Sequence, residues 1–333
     1  MQRRNFIQTS GLSVAGLGLA ANGIAANSLA ANSLSVNSLS TGANIGKSLK
    51  RPICAFTKCL QFLPFEKIGE VLTRMKFDGA DITVRPGGQI EPENVKKELP
   101  AAVKALQKAG ISVPMMVTAV SDVNNPVEVT TLQVAADAGI RYYRMGWLPY
   151  DFKMTIQQNL DTYKRQIEKL AKLNEKLGIH GGYQNHSGLH VGAPVWDLYD
   201  LVKDVNPKYM GVQYDIRHAT TEGGYCWMLG MKRVEPWIRT ICIKDFFWGK
   251  DPKGVWKHQN VLVGEGMVNF DEFLTEYNTL NVEAPISMHF EYDLGGAESG
   301  KKTTTMDPEK IYGMMKKDLD WFRKSMVKNK TEF

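Results

Sequence analysis

Eight short runs rich in β-branched and aromatic residues recur along the chain from Pro52 onward, at intervals of about 30 residues. Helical patterns separate the runs: residues 95–109 and 156–177 place apolar side chains at i, i+3, i+4 and i+7, and each stretch ends near a glycine. This alternation of strand and helix is typical of βα units and a parallel sheet. The predicted strands are 53–57, 80–84, 113–118, 142–147, 180–185, 210–215, 240–244 and 285–291.

The number of these units decides between two fold classes. Eight units within about 280 residues match a (β/α)₈ barrel in count and in length. The alternative is a doubly wound open sheet with a small second domain. No G-x-G-x-x-G sequence follows any of the predicted strands, which argues against a dinucleotide-binding version of that alternative. We therefore predict that residues 51–333 form an α/β protein, a (β/α)₈ TIM barrel.

Composition excludes two broad classes. With 43% hydrophobic and 23% charged residues, the chain is not disordered throughout. The formal net charge is +6, but Lys and Arg are scattered along the chain, so we interpret them as solvated surface and not as a nucleic-acid surface. The four cysteines form no C-x-x-C pair and are interpreted as structural thiols, although Cys54 and Cys59 could pair in an oxidising compartment.

The N-terminal segment has the composition of a targeting sequence. Residues 1–30 are a predicted signal peptide, and Arg3-Arg4-Asn5-Phe6-Ile7 resembles the twin-arginine pattern R-R-x-F-[LI], which implies export of a folded protein to the bacterial periplasm. An ordinary secretory signal is the alternative. Residues 31–50 repeat Asn-Ser-Leu units and are a predicted flexible linker. Polar residues interrupt every candidate span, so we predict no stable membrane insertion after signal removal.

Polar residues gather at the ends of six of the predicted strands. In a (β/α)₈ barrel the C-terminal strand ends meet at one mouth, where the active sites of such enzymes lie. A single histidine at a strand end is more often structural, but three of the six histidines lie at these ends, which favours a functional site. The residues, in strand order, are Arg85; Arg144 and Trp147; Gln184, Asn185 and His186; Asp215, Arg217 and His218; Lys244; and His289 and Glu291.

Three ionisable residues among these are the strongest catalytic candidates. Lys244 follows a run of apolar residues, so it either extends to the rim or lies desolvated in the mouth, where it could serve as an acid or a base. Asp215 and Glu291 also follow apolar strand residues, where inward-facing carboxylates would lie, with helix capping as the alternative. The pattern does not determine the direction of Arg217.

Four short motifs carry a family resemblance. Tyr183-Gln184-Asn185-His186 resembles a Y-H-N-H motif, and Asp215-Ile216-Arg217-His218 resembles a D-x-x-H motif. Ile243-Lys244-Asp245 resembles part of H-[LI]-K-D, and His289-Phe290-Glu291 resembles a segment that ends in a metal-binding glutamate. Because the motifs occur in the right order over residues 52–321, the chain resembles the xylose-isomerase-like sugar phosphate isomerase/epimerase superfamily of TIM barrels.

The resemblance implies a divalent cation, Mn, Mg, Co or Zn, held by carboxylates and a histidine. Asp215 and Glu291 match ligand positions, and His218 matches a position that contacts substrate. Two departures from the family pattern argue against a metal site. Cys242 replaces the histidine before the Lys-Asp pair, and no glutamate is evident on the fourth or fifth strand. His186 could complete the ligand set. Alternatively, Arg144 could neutralise one carboxylate and leave the site without a metal.

These observations lead to a functional hypothesis. We expect an exported carbohydrate-processing enzyme, an isomerase or epimerase, that transfers a proton next to a carbonyl group of a small sugar. A sugar lyase or hydratase and a non-catalytic periplasmic sugar-binding barrel are the alternatives. DNA is not expected as a partner, since apurinic endonucleases of the superfamily require more His and Glu; homo-oligomerisation is left open. The candidate catalytic residues are Lys244, His218 and His186, and the candidate substrate-binding residues are Arg85, Arg144, Gln184, His289 and Trp248.

Overall fold

The computed structural model describes residues 51–280 and 285–332. The predicted signal peptide and linker, residues 1–50, lie outside the described residues. Eight parallel strands close into a barrel in the order β1-β2-β3-β4-β5-β6-β7-β10, which confirms the predicted (β/α)₈ fold. The barrel strands are β1 (Ile53–Phe56), β2 (Gly79–Val84), β3 (Ser112–Thr118), β4 (Tyr142–Arg144), β5 (His180–Gln184), β6 (Met210–Asp215), β7 (Ile238–Ile243) and β10 (Ile286–Met288).

Helices surround the barrel and bury their apolar faces against the strands. The longest, α4, begins with a capping box between Thr155 and Gln158 and ends at Gly178, whose φ of 67° is the left-handed conformation that glycine adopts readily. The other helices are α1 (Phe65–Met75), α2 (Val95–Lys108), α3 (Pro126–Asp137), α5 (Val195–Val202), α6 (Ile216–Gly223), α7 (Trp227–Val234), α8 (Phe270–Thr279) and α9 (Pro308–Lys328), with α4 at Ile156–Leu177. The helix expected over 95–109 is therefore confirmed to within one residue.

An antiparallel hairpin follows β7 directly and was not expected from the sequence. Its strands, β8 (Asp245–Lys250) and β9 (Trp256–Val261), pair from Asp245 with Val261 to Lys250 with Trp256. Asp245 anchors its base, since the carboxylate accepts the backbone N–H groups of Gly264 and Gly266 at 2.9 Å each. A Cβ at Gly266 would lie 2.3 Å from Asp245 Oδ1, so only glycine permits this approach.

The barrel interior is unusually polar. Asp81 on β2 accepts a hydrogen bond from Ser287 Oγ on β10 at 2.6 Å, across the intervening β1. His180, Gln213 and Thr240 are likewise buried polar residues of the barrel strands. Cys54 and Cys59 are buried free thiols and do not pair.

Two predicted strands are shorter than expected: β4 stops at Arg144 and β10 at Met288. Trp147 and Glu291 therefore lie on the loops that follow these strands, at the mouth of the barrel. Within the described part of the chain, none of the helices has the length and apolar character needed to span a bilayer.

Candidate active site

Lys244 lies at the centre of a charged cluster in the barrel mouth. It directly follows β7 and is 3% exposed. Its Nζ lies 3.3 Å from Asp215 Oδ2 and 3.1 Å from Glu291 Oε2. Burial alone would lower the pKa of Lys244, but the negative charges of Asp215 and Glu291 outweigh burial and raise it above 10.5. Lys244 is therefore a fixed ammonium group and not a base at neutral pH.

Asp215 is held rigidly on one side of that ammonium. It is the last residue of β6, and its Oδ1 caps α6 by accepting the backbone N–H of His218 at 3.0 Å. The Gln184 amide donates to Asp215 Oδ2 at 2.7 Å. Asn185 bonds the backbone N–H and carbonyl of Asp215 at 2.8 and 2.9 Å. Both expected roles, helix cap and inward-facing carboxylate, are thus combined in one residue.

Glu291 is the more accessible of the two carboxylates. Its side chain is 22% exposed, whereas that of Asp215 is fully buried. Glu291 Oε1 lies 3.6 Å from His289 Nδ1 and 3.7 Å from Lys58 Nζ. Burial alone would raise the pKa of Glu291, but Lys244 and His289 hold it well below its usual range. Glu291 is consequently a carboxylate that faces the open mouth.

His218 presents one N–H to the site. Its Nδ1 accepts hydrogen bonds from the Ser187 backbone N–H at 3.2 Å and from Arg217 Nη1 at 3.0 Å. Both groups can only donate, so the neutral ring carries its proton on Nε2. That nitrogen lies 3.7 Å from Asp215 Oδ2. Burial, with the nearby charge of Lys244, lowers the pKa of His218 well below 6.5, so the ring stays neutral.

His186 lies beside His218 and not beside the carboxylates. The two imidazole centroids are 4.0 Å apart, and the indole of Trp147 lies 4.4 Å from the other side of His186. His186 Nδ1 lies 2.9 Å from the carbonyl oxygen of Ser187, to which it donates. Burial, with the charge of Lys244, lowers the pKa of His186 to about 4. His186 therefore offers the lone pair of Nε2 as an acceptor.

Two guanidinium groups occupy the opposite side of the mouth, where β2 and β4 end. Arg144 Nη1 donates to Gln184 Oε1 at 3.1 Å, and its guanidinium lies 4.4 Å over the ring of Trp147. Burial and the nearby charge of Arg85 lower the pKa of Arg144 to about 10. Arg85 is partly buried, and burial lowers its pKa as well. Arg85, Arg144 and Gln184, which were expected to bind substrate, therefore lie together on this side of the mouth.

The remaining predicted residues lie in two different places. His289 stacks on Phe56 at 4.2 Å, and burial lowers its pKa to about 4, so it is a neutral ring beside Glu291. Trp248 lies on the β8–β9 hairpin, is 42% exposed, and packs edge-on against Phe246 and His258. The structure therefore places Trp248 on the hairpin and apart from the ion pairs around Lys244.

Lys58 and Asn260 complete the site and were not expected from the sequence, which also left the direction of Arg217 open. Lys58 lies in a 3₁₀ turn after β1, and its position directly behind a strand end is the signal that could have found it. Arg217 is buried and turned inward, where Nη2 donates to Asn260 Oδ1 at 2.8 Å. Asn260 in turn donates to the Glu291 carbonyl at 3.1 Å, which ties the hairpin to the site.

The donor set does not fit the expected divalent metal. Asp215, Glu291 and His186 were the expected ligands, but no three His, Cys, Asp or Glu residues among those that the structure describes form a group able to hold a metal ion. The Lys244 ammonium takes the place of a cation between the two carboxylates. Cys242 is buried next to Asp215, and burial raises its thiol pKa well above 9.0, so it stays protonated. Lys244, and not Arg144 as one alternative held, forms the ion pairs with both carboxylates.

Comparisons with known proteins identify the fold of this barrel. A family model described as "Xylose isomerase-like TIM barrel" matches residues 69–324. A solved L-ribulose 3-epimerase is 11% identical with a TM-score of 0.63, and the match covers 84% of this chain and 96% of that one. A 3-keto-D-glucoside 4-epimerase from E. coli is 12% identical with a TM-score of 0.60, covering 83% and 100%. A xylose isomerase-like TIM barrel protein from Mycobacterium smegmatis, in complex with magnesium, is 14% identical with a TM-score of 0.57, covering 81% and 98%.

Proposed function

The chain belongs to the xylose isomerase-like TIM barrel family, and from this premise we propose that it is a sugar isomerase or epimerase that moves a proton at the carbon next to a carbonyl group. One observation carries the proposal: the Lys244 ammonium lies between Asp215 and Glu291, at 3.3 and 3.1 Å, in the barrel mouth. A buried, fixed positive charge is the group that such a reaction needs where negative charge develops.

Residues of the barrel mouth carry out the proposed reaction. The Glu291 carboxylate takes the proton from the carbon next to the carbonyl, and the electron pair moves onto the carbonyl oxygen to give an enediolate. The Lys244 ammonium and the His218 Nε2–H stabilise that oxyanion. Delivery of a proton from water to the opposite face of the same carbon gives an epimer, and Glu291 then releases the first proton to solvent. Return of the proton from Glu291 to the former carbonyl carbon, with transfer of the neighbouring hydroxyl proton to the first oxygen, gives an isomer. Asp215 holds the ammonium and the His218 backbone in place.

Glu291 is assigned as the base because of its access to the mouth. Its low pKa makes it a weak base, so stabilisation of the oxyanion must supply a large share of the rate enhancement. His218 is neutral and buried, and its Nδ1 lone pair is occupied. His186 Nε2 is left to accept a sugar hydroxyl. No step passes through a metal ion, since the residues present do not fit one.

One observation favours the lyase or hydratase alternative for the same site. Lys58 Nζ lies 3.7 Å from Glu291 Oε1, and burial lowers the pKa of Lys58. An ammonium of lowered pKa is a good proton donor to a departing hydroxyl group, which would leave from the carbon beyond the enediolate. Loss of water from a sugar, in place of its rearrangement, distinguishes the two reactions.

Export to the periplasm is part of the proposal. The twin-arginine-like start of the chain, Arg3-Arg4-Asn5-Phe6-Ile7, supports it. An exported enzyme would act on free or oxidised sugars that reach that compartment.

The experiment is proton exchange in D₂O. A panel of aldoses, ketoses and keto-sugars is incubated with the protein, and NMR follows deuterium uptake at the carbon next to the carbonyl. We expect uptake with at least one sugar, and at least a 100-fold slower rate in both Lys244→Met and Lys244→Arg, because neither places an ammonium between the carboxylates. Lys253→Met, on the exposed hairpin turn, is the matched control and should keep the wild-type rate.

Circular dichroism separates loss of chemistry from loss of fold. Lys244→Met leaves two carboxylates without their counter-charge, so Lys244→Arg is the variant that keeps the charge and the fold. Exchange at the wild-type rate in a folded Lys244→Arg or Lys244→Met protein would remove Lys244 from the mechanism. The absence of exchange with every sugar would contradict the proposed function.

A further inference from the structure

The barrel mouth carries more positive charge than its carboxylates neutralise. Five cationic side chains line it: Lys58, Arg85, Arg144, Arg217 and Lys244. The two carboxylates that form ion pairs there, Asp215 and Glu291, are engaged by the lysines Lys244 and Lys58. The arginines consequently remain without a carboxylate partner of their own.

Arg85 and Arg144 are the clearest case of this excess. Neither guanidinium has an ion pair within the ranges 51–280 and 285–332, and Arg144 Nε is buried without a hydrogen-bond partner. Arg144 is 5% exposed, and its only hydrogen-bond acceptor in those ranges is the neutral Gln184 amide. Arg85 and Arg144 also lie close enough for their charges to repel one another. Two desolvated like charges destabilise an empty site and favour an anion between them.

Asp81 is not the anion that neutralises Arg85 and Arg144. Its Oδ2 accepts from Ser287 Oγ at 2.6 Å, and its Oδ1 has no hydrogen-bond partner in the described parts of the chain. Burial raises the pKa of Asp81 to about 7 despite the two arginines nearby, so the carboxyl group is only partly ionised at neutral pH. Arg217 differs from Arg85 and Arg144, because Ser187, His218 and Asn260 occupy its guanidinium.

We propose that the substrate is an anionic sugar, an oxidised sugar whose carboxylate binds to Arg85 and Arg144. Arg85 follows β2 and Arg144 ends β4, whereas Lys244 and Glu291 follow β7 and β10 on the other side of the barrel. The anionic group is therefore held away from the reacting carbonyl, and the Trp147 ring beneath Arg144 fixes the guanidinium plane. Guanidinium groups bind planar carboxylates and phosphates through paired N–H donors. This inference rests on the proposed function, since it names the substrate class of the same site.

The test compares sugars that differ only in charge. Calorimetry measures the Kd of the full chain for matched sets: D-glucose, D-glucuronate and D-glucose 6-phosphate, and the corresponding galactose and mannose sets. We expect the uronate to bind at least 10-fold more tightly than its neutral counterpart, since hydrogen bonds between ionised groups are stronger than those between neutral groups. Preference for the uronate supports the carboxylate assignment, whereas preference for the phosphate would contradict it. Equal or weaker binding of the anionic members in every set would overturn the proposal.

Arg85→Gln tests the site itself, because Arg85 is partly exposed and its loss should leave the fold intact. The variant should lose the preference for the anionic sugar, so that its Kd for the anionic member rises to that for the neutral member. Arg165→Gln on the exposed face of α4 removes the same charge and should bind like the wild type. An Arg85→Gln protein that keeps the full preference would contradict the assignment.

The binding test of the anion site can succeed or fail independently of the deuterium-exchange test. If anionic sugars bind through Arg85 but show no deuterium exchange, the anion site stands and the proposed function fails. If neutral sugars exchange protons as rapidly as anionic ones, the proposed function stands and the anion site fails.

Discussion

Asp81 shows how burial changes the chemistry of a single residue. It is fully buried in the barrel interior, and burial raises its pKa to about 7, whereas an aspartate in an unfolded chain has a pKa of about 3.9. Between these two values the folded protein binds a proton that the unfolded chain does not. The contribution of Asp81 to the free energy of unfolding is therefore greatest below pH 4 and falls as the pH rises towards 7.

Asp81→Asn should remove that dependence on pH. We expect the free energy of unfolding of the variant, relative to the wild type, to rise by roughly 3 kcal/mol between pH 5 and pH 8. Urea unfolding at several pH values measures the difference. Asp318, whose pKa burial also raises to about 7, is present in both proteins and cancels. Stability curves that stay parallel over this range would show that Asp81 titrates normally.

Residue types at strand ends were readable from the sequence, but their partners were not. Lys244, Asp215 and Glu291 were singled out because each follows an apolar run, and all three meet in the structure. Their pairing depends on how far each side chain reaches across the barrel mouth, which no local pattern contains. For the same reason His186 was assigned to the carboxylates, although it packs on His218.

At the scale of the elements, the strands were predictable and the connection after β7 was not. Runs rich in β-branched and aromatic residues predicted all eight barrel strands, because each strand is buried and separated from the next by a helical pattern. The hairpin begins at Asp245, two residues after the end of β7. The residues of β9 are all exposed or half-buried, so this strand has no buried apolar face. Such a hairpin gives no burial signal, so the sequence could not distinguish it from a loop.

Asn260 on β9 is the residue through which the hairpin supports the site. It accepts from Arg217 Nη2 and donates to the Glu291 carbonyl, at 2.8 and 3.1 Å. Asn260→Ala should slow deuterium exchange about 10-fold with a change in stability of about 1–2 kcal/mol, since it frees the loop that carries Glu291. Gln259→Ala, at the neighbouring position of β9, is the matched control. Equal exchange rates in the two variants would show that the hairpin has no positioning role.

At the scale of the whole molecule, closure of the barrel creates a site that no single element contains. Strands β2 and β4 supply the guanidinium side of the mouth, whereas β6, β7 and β10 supply the ammonium and its two carboxylates. The family resemblance implied carboxylates in this mouth with a divalent cation between them, and the structure places Asp215 and Glu291 there. A lysine side chain takes that position here, which replaces an exchangeable ion by a covalently attached charge.

The Lys244 ammonium, and not a metal ion, is the proposed source of positive charge at the reacting oxygen. The most direct measurement is deuterium exchange into the sugar before and after exhaustive treatment with EDTA, followed by addition of Mn²⁺, Mg²⁺, Co²⁺ or Zn²⁺. We predict the same exchange rate in every case, because the Lys244 ammonium supplies the charge. Exchange that disappears with EDTA and returns with one of these ions would contradict the account.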